Sequence, residues 1–270
     1  MRFLGHRIAD KRVLRLIQNW LKAGVIEDGV RIASVKGTPQ GAVISPLLAN
    51  IYLHYVFELW AHQWRRQTQR ADMIIVRYAD DSVMGFQYEG QAKRFLTEMQ
   101  DRFRRFGLAL HPEKTRLIRF GRFAEQNCKT DGRSRPETFD FLGFTHCCGR
   151  DRHGRYKTIR LTVKKRMRAT LAALRETLMR RRHEPIGVVA KWLRQVLQGY
   201  FNYHAVPGNL KRLDGFRNEV CRAWMRALKR RSQRHRMNWE KFRKTLRHVL
   251  PRVRATHPYP EERFFASYPR

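Results

Sequence analysis

Residues 73–88 read MIIVRYADDSVMGFQY. The apolar run Met73–Val76 leads into Tyr78-Ala79-Asp80-Asp81, and a second apolar run follows at Val83, Met84 and Phe86. Two β-prone runs joined by a short polar turn predict a β-hairpin. Both flanks are hydrophobic enough to be expected in the interior, which would hold Asp80 and Asp81 at the tip of a rigid support. Paired carboxylates so placed suit a hard divalent cation such as Mg²⁺, which takes oxygen ligands and keeps some of its waters. Asp is also common in turns for conformational reasons alone, so a plain acidic turn is the competing reading.

Working outward, the flanking segments read as helices that could cover this hairpin. Gln91–Phe106 carries Phe95, Met99, Phe103 and Phe106 on one stripe, and Gly107 ends it. Upstream, Ser45 is placed to cap a helix that opens with Pro46 and runs to about Gln67. Pro46, Asn50, His54 and Glu58 recur every fourth residue, so the polar groups of this otherwise apolar window share one helical stripe. That describes a buried amphipathic helix and not a membrane span. Before it, Lys36-Gly37-Thr38-Pro39-Gln40-Gly41 permits close backbone approach at the helix start. Such a loop can cradle a phosphate or nucleotide, or be an ordinary turn. Asp10–Ala23 predicts another amphipathic helix, and Val25–Val35 an extended stretch with a turn at Asp28-Gly29. Leu108–Phe120 and Phe139–His146 predict two further strands, the second bending at Gly143. Asn127–Arg135 is polar and turn-rich, as a surface loop would be. The first half is therefore expected to be an α+β layer with an antiparallel hairpin at its centre.

Beyond Gly149–Gly154 the pattern turns helical, with helices expected over Thr162–Arg182, Ile186–Tyr203, Leu210–Arg231 and Trp239–Leu250, the last capped by Asn238. Aromatics interleave with cations there: Tyr200, Phe201, Tyr203, Trp224, Trp239 and Phe242. They could stack on single-stranded or irregular RNA. Tyr200, Phe201 and Trp224 fit equally with the core of a small basic bundle.

Charge narrows the partners. The 270 residues include 57 Lys and Arg against 23 Asp and Glu, a net +34. Residues 1–149 hold 24 basic and 15 acidic side chains, whereas residues 150–270 hold 33 and 8. At pI ≈ 11.3 the natural partner is a polyanion, since neutralising phosphates releases counterions. Cys128, Cys147, Cys148 and Cys221 contain no C-x-x-C and make neither a disulfide framework nor a zinc knuckle. Arg2, His6, Arg7 and Asp10 interrupt the start before the apolar stretch of a signal peptide could form. A cytoplasmic chain with no membrane partner is expected.

Four segments in order, GTPQGAVISPLLANIYLH (37–54), RYADDSVMGF (77–86), LALHPEKTRLIRFG (108–121) and FDFLGF (139–144), resemble successive sequence blocks of reverse transcriptases. The wording resembles the group II intron-encoded reverse transcriptase/maturase proteins in particular. LQGYFNY (197–203) is similar to a motif of their thumb/maturase region. The resemblance implies a partial polymerase palm and fingers for 1–146, an all-α thumb/maturase domain for 147–257, and a tail, 258–270. It implies an RNA-directed DNA polymerase using a two-ion Mg²⁺ site, with intron RNA, an RNA template, a DNA primer and deoxynucleoside triphosphates as partners. Asp80 and Asp81 would be catalytic and metal-binding. Pro39, Gln40, Gly41 and Lys114 would contact nucleotide or template, and Leu142, Gly143 and Phe144 the primer end. Lys164, Lys165, Arg166, Tyr200, Asn202 and Tyr203 would bind RNA. Position 42 is Ala where the family commonly has Gly.

The family has a further catalytic Asp in a block upstream of the segment that residues 1–30 resemble. The metal site is therefore expected to be incomplete in this chain, which would work as a truncated or split protein beside an upstream fragment. No Cys/His-rich nuclease module is visible, so no DNA endonuclease is expected. The competing function is a splicing cofactor that binds intron RNA without polymerase activity.

Overall fold

A computed structural model describes residues 1–22, 25–27, 30–32, 43–68, 72–231, 237–245 and 247–260. The first half runs α1 (Arg2–Gly5), α2 (Lys11–Lys22), β1 (Val25–Glu27), β2 (Val30–Ile32), α3 (Ser45–Leu53), a π-helical turn (His54–Glu58), α4 (Leu59–Gln67), β3 (Met73–Tyr78), β4 (Asp81–Phe86) and α5 (Glu89–Arg105). There follow α6 (Ala124–Thr130), β5 (Phe139–Phe141), β6 (Phe144–Arg150), β7 (Tyr156–Thr162), α7 (Lys164–Arg180), α8 (Ile186–His204), α9 (Leu210–Lys229) and α10 (Trp239–Thr245). The α+β class is as expected, with helices and small antiparallel sheets alternating as far as Thr162 and helices after it. Two compact units are present, Met1–Leu117 and Ile118–Arg270. The division implied by the resemblance, between residues 146 and 147, falls within β6, so the segment expected to be all-α opens with the end of β6 and the whole of β7.

In the first unit β3 and β4 pair antiparallel from Met73↔Phe86 to Tyr78↔Asp81. Strand alternation puts Met73, Ile75, Met84 and Phe86 on one face. That face packs on Phe57, Ala61 and Trp64 of the long helix made by α3, the π-helical turn and α4 in succession (Ser45–Gln67), and on Phe95 and Met99 of α5. The expectation that both flanks are buried holds for this face only. On the other, Ile74 and Tyr78 are each 65% exposed and Val76 47%, because a period of two sends alternate residues outward. Trp64 meets Phe95 edge-on at 5.0 Å, and its indole N–H donates to Glu98 at 2.8 Å.

The long helix begins with Ser45 itself, Pro46 lying in its first turn, so Ser45 is not the cap. Its π-helical turn (His54–Glu58) widens the coil, and Arg102 of α5 donates to two carbonyls there, Val56 at 2.6 Å and Tyr55 at 3.4 Å. The strand expected over Leu108–Phe120 is absent. The segment instead turns at His111–Thr115, where the Thr115 amide donates to the His111 carbonyl at 2.9 Å. Pro112 has no N–H to give a sheet ladder.

In the second unit the strand expected over Phe139–His146 is two strands of a three-stranded sheet ordered β5-β6-β7. Leu142 (φ +47°) and Gly143 (φ +78°) form the turn between β5 and β6. Paired positive φ values match the right-handed twist of a hairpin, and glycine takes one of them without strain. β7, unanticipated, runs through Thr162, so the following helix starts at Lys164. Helix α6 occupies part of the segment read as a loop.

Leu174 and Leu178 of α7, Leu193, Leu197 and Phe201 of α8, and Leu213, Val220 and Trp224 of α9 share one core with Phe242. The core reading of the aromatics holds: Phe201 and Trp224 are 2% and 1% exposed, and Tyr200 stacks on Phe216 at 4.5 Å. Buried Arg217 donates to the carbonyls of Arg247, Leu250 and Pro251 at 2.8, 3.1 and 2.8 Å. Asn238 caps α10 through the Lys241 amide at 2.8 Å.

Candidate functional site

The turn Ala79-Asp80 joins β3 to β4, with Tyr78↔Asp81 as the last ladder pair. Ala79 has φ +54°, the left-handed region that L-residues other than Asn and Asp rarely enter. The exposed carboxylates of Asp80 and Asp81 project from the tip. Immediately behind them sits Arg77, whose side chain is 13% exposed. Its guanidinium donates to Glu58 Oε1 from Nε at 2.8 Å and from Nη2 at 2.6 Å. Nη1 donates to Asn50 Oδ1 and to the Ala79 carbonyl, each at 2.7 Å. The second Glu58 oxygen pairs with His54 Nδ1 at 2.8 Å. Burial pushes the Glu58 carboxyl up, but hydrogen bonds from His54 and Arg77 and their charges outweigh it, holding the carboxyl below its ordinary value.

Asp80 and Asp81 offer hard oxygen donors open to solvent. Mg²⁺ is commonly held by one or two carboxylates, several waters and substrate phosphates rather than by an all-protein cage. The donor chemistry of the turn fits such an ion. Among the described residues no group of three or more His, Cys, Asp or Glu side chains gathers to hold a metal, and the side-chain carboxylates of the turn are those of Asp80 and Asp81.

A second constellation lies wholly within the second unit, around the Leu142-Gly143 turn. The Leu142 carbonyl accepts from Tyr203 Oη at 2.8 Å. The Gly143 carbonyl accepts from the Val163 amide at 3.0 Å, where the chain enters α7. A Cβ on Gly143 would stand 3.6 Å from Arg166 Nη1 and 3.7 Å from both the Tyr203 and His204 rings. Phe144 stacks on Tyr203 at 5.7 Å and meets His204 edge-on at 5.3 Å.

Asn209 fixes this arrangement. Its Oδ1 accepts from the Thr162 amide at 3.1 Å. Its Nδ2 donates to Thr162 Oγ1 at 2.7 Å and to the His204 carbonyl at 2.9 Å. His204 Nδ1 and Tyr200 Oη are buried without a hydrogen-bond partner. Burial, and then the Arg166 charge, lowers the His204 imidazole below its ordinary range, and burial pushes the Tyr200 phenol up to about 12.

The structure thus brings Leu142, Gly143, Phe144, Arg166 and Tyr203 together. Lys164 and Lys165 are exposed at the start of α7, and Asn202 is exposed on α8. Tyr200 packs inward on Phe216. Lys114 is exposed in its turn. Pro39, Gln40 and Gly41 lie outside the described residues. Arg77, His204 and Asn209 were not singled out from sequence. The polar stripe Asn50-His54-Glu58 was the available signal for Arg77, since a row of acceptors on one helical face suits a cationic partner.

Residues 3–146, just over half of the chain, match the family model described as reverse transcriptase (RNA-dependent DNA polymerase). A 55-residue stretch is 44% identical to an uncharacterized 91 kDa protein in the cob intron of Schizosaccharomyces pombe, covering 20% of this chain and 7% of that protein. A 48-residue stretch is 50% identical to the group II intron-encoded protein LtrA of Lactococcus lactis subsp. cremoris, covering 18% of this chain and 8% of that protein. Over 110 residues the identity to protein YkfC of Escherichia coli is 34%, covering 31% of this chain and 29% of that protein. The chain spans less than a third of the length of each of these relatives.

Proposed function

The chain belongs to the reverse transcriptase (RNA-dependent DNA polymerase) family, and from that premise we propose that it copies RNA into DNA as part of a group II intron-encoded reverse transcriptase/maturase. In this reading residues 1–146 serve as palm and 147–257 as a helical thumb that also grips intron RNA in the cytoplasm. The observation that carries it is the Tyr78-Ala79-Asp80-Asp81 turn, a pair of exposed carboxylates on a hairpin packed against two helices. When bound, divalent cations supply a Lewis acid for the attacking hydroxyl and charge stabilisation for the leaving group in such transfers. Asp80 and Asp81 would hold them. The chain's own task is then positioning, since phosphoryl transfer needs aligned oxygens more than covalent help from the protein.

Three further groups have roles in this reading. Leu142, Gly143 and Phe144 present a tight turn against which a primer backbone can lie, braced by Tyr203 from behind. Arg166 stands beside that turn as a phosphate partner. Lys114, Pro39, Gln40 and Gly41 are assigned to template and nucleotide. The test is primer extension on an RNA template with deoxynucleoside triphosphates and Mg²⁺. With an upstream segment carrying the missing palm Asp supplied beside it, the chain should extend the primer and Asp80→Ala should not. Extension of equal rate by Asp80→Ala would sink the reading.

One observation favours a second reading, an RNA-binding splicing cofactor without polymerase activity. Residues 150–270 hold 33 basic and 8 acidic side chains, while no third acidic, His or Cys group joins Asp80 and Asp81 among the described residues. It predicts salt-steep binding to folded intron RNA that survives Asp80→Ala, with no extension even when the upstream segment is supplied. Equal affinity for any duplex of the same length would count against it.

A further inference from the structure

The polar stripe of the long helix converges on one side chain. Asn50 lies in α3, and His54 and Glu58 open and close the π-helical turn. Glu58 receives two donors of the Arg77 fork, Asn50 receives a third contact, and His54 holds the free oxygen of Glu58. The same Nη1 that reaches Asn50 also donates to the carbonyl of Ala79. That carbonyl belongs to the peptide that enters Asp80.

We propose that Arg77 is the positioning residue of the carboxylate turn, tying the peptide before Asp80 to the π-helical turn of the long helix. The inference rests on reading Asp80 and Asp81 as cation ligands. An Arg whose role was only to anchor β3 would need Glu58 alone. The contact with Ala79 aims the guanidinium at the turn itself. Ala79 lies in left-handed backbone at φ +54°, a strained state that persists only where its surroundings over-determine it. The ladder pair Tyr78↔Asp81 closes the turn from below, and the Arg77 contact holds it from the side.

Arg is suited to this task and Lys is not. Four bonds leave one planar fork in fixed directions, whereas an ammonium is a compact point charge on a flexible stem. The π-helical turn belongs to the same device. A widened turn leaves backbone groups in need of partners, and Arg102 takes up the Val56 and Tyr55 carbonyls from α5. Two arginines thus hold the turn: Arg102 on its backbone and Arg77 on the Glu58 side chain. The Glu58 carboxylate is placed by a support with buried Val56 and Phe57 in the core.

The test uses the full chain and the variants Arg77→Met, Arg77→Lys and Glu58→Gln. Hydrogen exchange is read at the Asp80 and Asp81 amides, Mn²⁺ affinity by electron paramagnetic resonance, and the Mg²⁺ requirement by primer extension. Arg77→Met should speed exchange at those amides and weaken Mn²⁺ binding about tenfold, the scale for losing an outer-shell partner of a metal ligand. Exchange in the α5 core around Phe95 should stay unchanged. Arg77→Lys should restore little of either, and Glu58→Gln should lie between. Unchanged exchange and Mn²⁺ affinity in Arg77→Met would overturn the proposal, as would full rescue by Arg77→Lys. If Arg77→Met does not fold, Glu58→Gln decides by the same two readouts. Asp80→Asn separates this proposal from the reading beneath it. If it leaves Mn²⁺ binding intact, the cation reading fails, while faster exchange in Arg77→Met still supports the hold on the turn.

Discussion

Replacing Asn209 by Ala removes the side chain that joins the end of β7 to the end of α8. Asn209 and Thr162 are both fully buried. Three hydrogen bonds are lost, from the Thr162 amide, to Thr162 Oγ1 and to the His204 carbonyl. The His204 carbonyl keeps the Val206 amide at 2.8 Å, so the main orphan is the Thr162 N–H. An unsatisfied buried donor costs about 1–3 kcal/mol, and each lost neutral bond about 1 kcal/mol net. The change should therefore destabilise the second unit by about 2–4 kcal/mol. For a unit of this size each kcal/mol lowers Tm by about 2–4 °C, so a fall near 10 °C is expected. Urea unfolding followed by far-ultraviolet circular dichroism gives the free energy directly, with an unchanged m-value if only the native state is affected. Asn209→Asp retains the acceptor for the Thr162 amide and should lie between. A loss under about 1 kcal/mol for Asn209→Ala would show that Thr162 finds another partner, refuting the claim that Asn209 fixes this junction.

Three more outcomes are expected. Gly143→Ala places a Cβ at φ +78°, costing about 1–2 kcal/mol of native stability by urea unfolding, and it should weaken primer binding in a filter assay because it fills the notch facing Arg166. Arg217→Met leaves the carbonyls of Arg247, Leu250 and Pro251 without their shared donor; a destabilisation of about 2–4 kcal/mol is expected by the same unfolding assay, and a loss near zero would show that segment to be independently held. His204 and His146 are both lowered, chiefly by burial, so the unfolded chain takes up protons at a higher pH than the folded one. Their contribution is complete above the ordinary imidazole value of about 6.5 and is lost as pH falls. The urea midpoint of the second unit should therefore be lower at pH 5 than at pH 7, with a shallower fall in His204→Gln, and an equal slope in both would exclude His204.

Much of this was legible where period and turn chemistry agree. Met73–Phe86 holds two short apolar runs about a polar turn, so a hairpin with Asp80 and Asp81 at its tip follows directly, but continuous runs do not show which face is buried. The stripe Phe95, Met99, Phe103 identified α5 because a helix buries one face. Leu108–Phe120 misled because its apolar residues suit a strand, yet Pro112 and an unpaired path make it a turn and coil. Leu142-Gly143 read as a bend, since one glycine does not reveal that its neighbour also adopts positive φ. The Arg77 clamp depends on long-range pairing across 19 and 27 residues, which local periodicity does not carry. Asn209 is likewise an ordinary polar residue by sequence, and its reach to Thr162, 47 residues away, exists only in the folded unit.

The central claim is that the Asp80–Asp81 turn is the working end of a polymerase. Single-turnover addition of one deoxynucleotide to a primer on an RNA template tests it most directly, with RNA affinity measured on the same samples. Asp80→Asn should slow addition by about 10²-fold or more, the scale for removing one electrostatic contact to the reacting groups, while RNA affinity stays within about twofold, because the bulk of the excess positive charge lies in residues 150–270. Addition at the wild-type rate by Asp80→Asn would contradict the account.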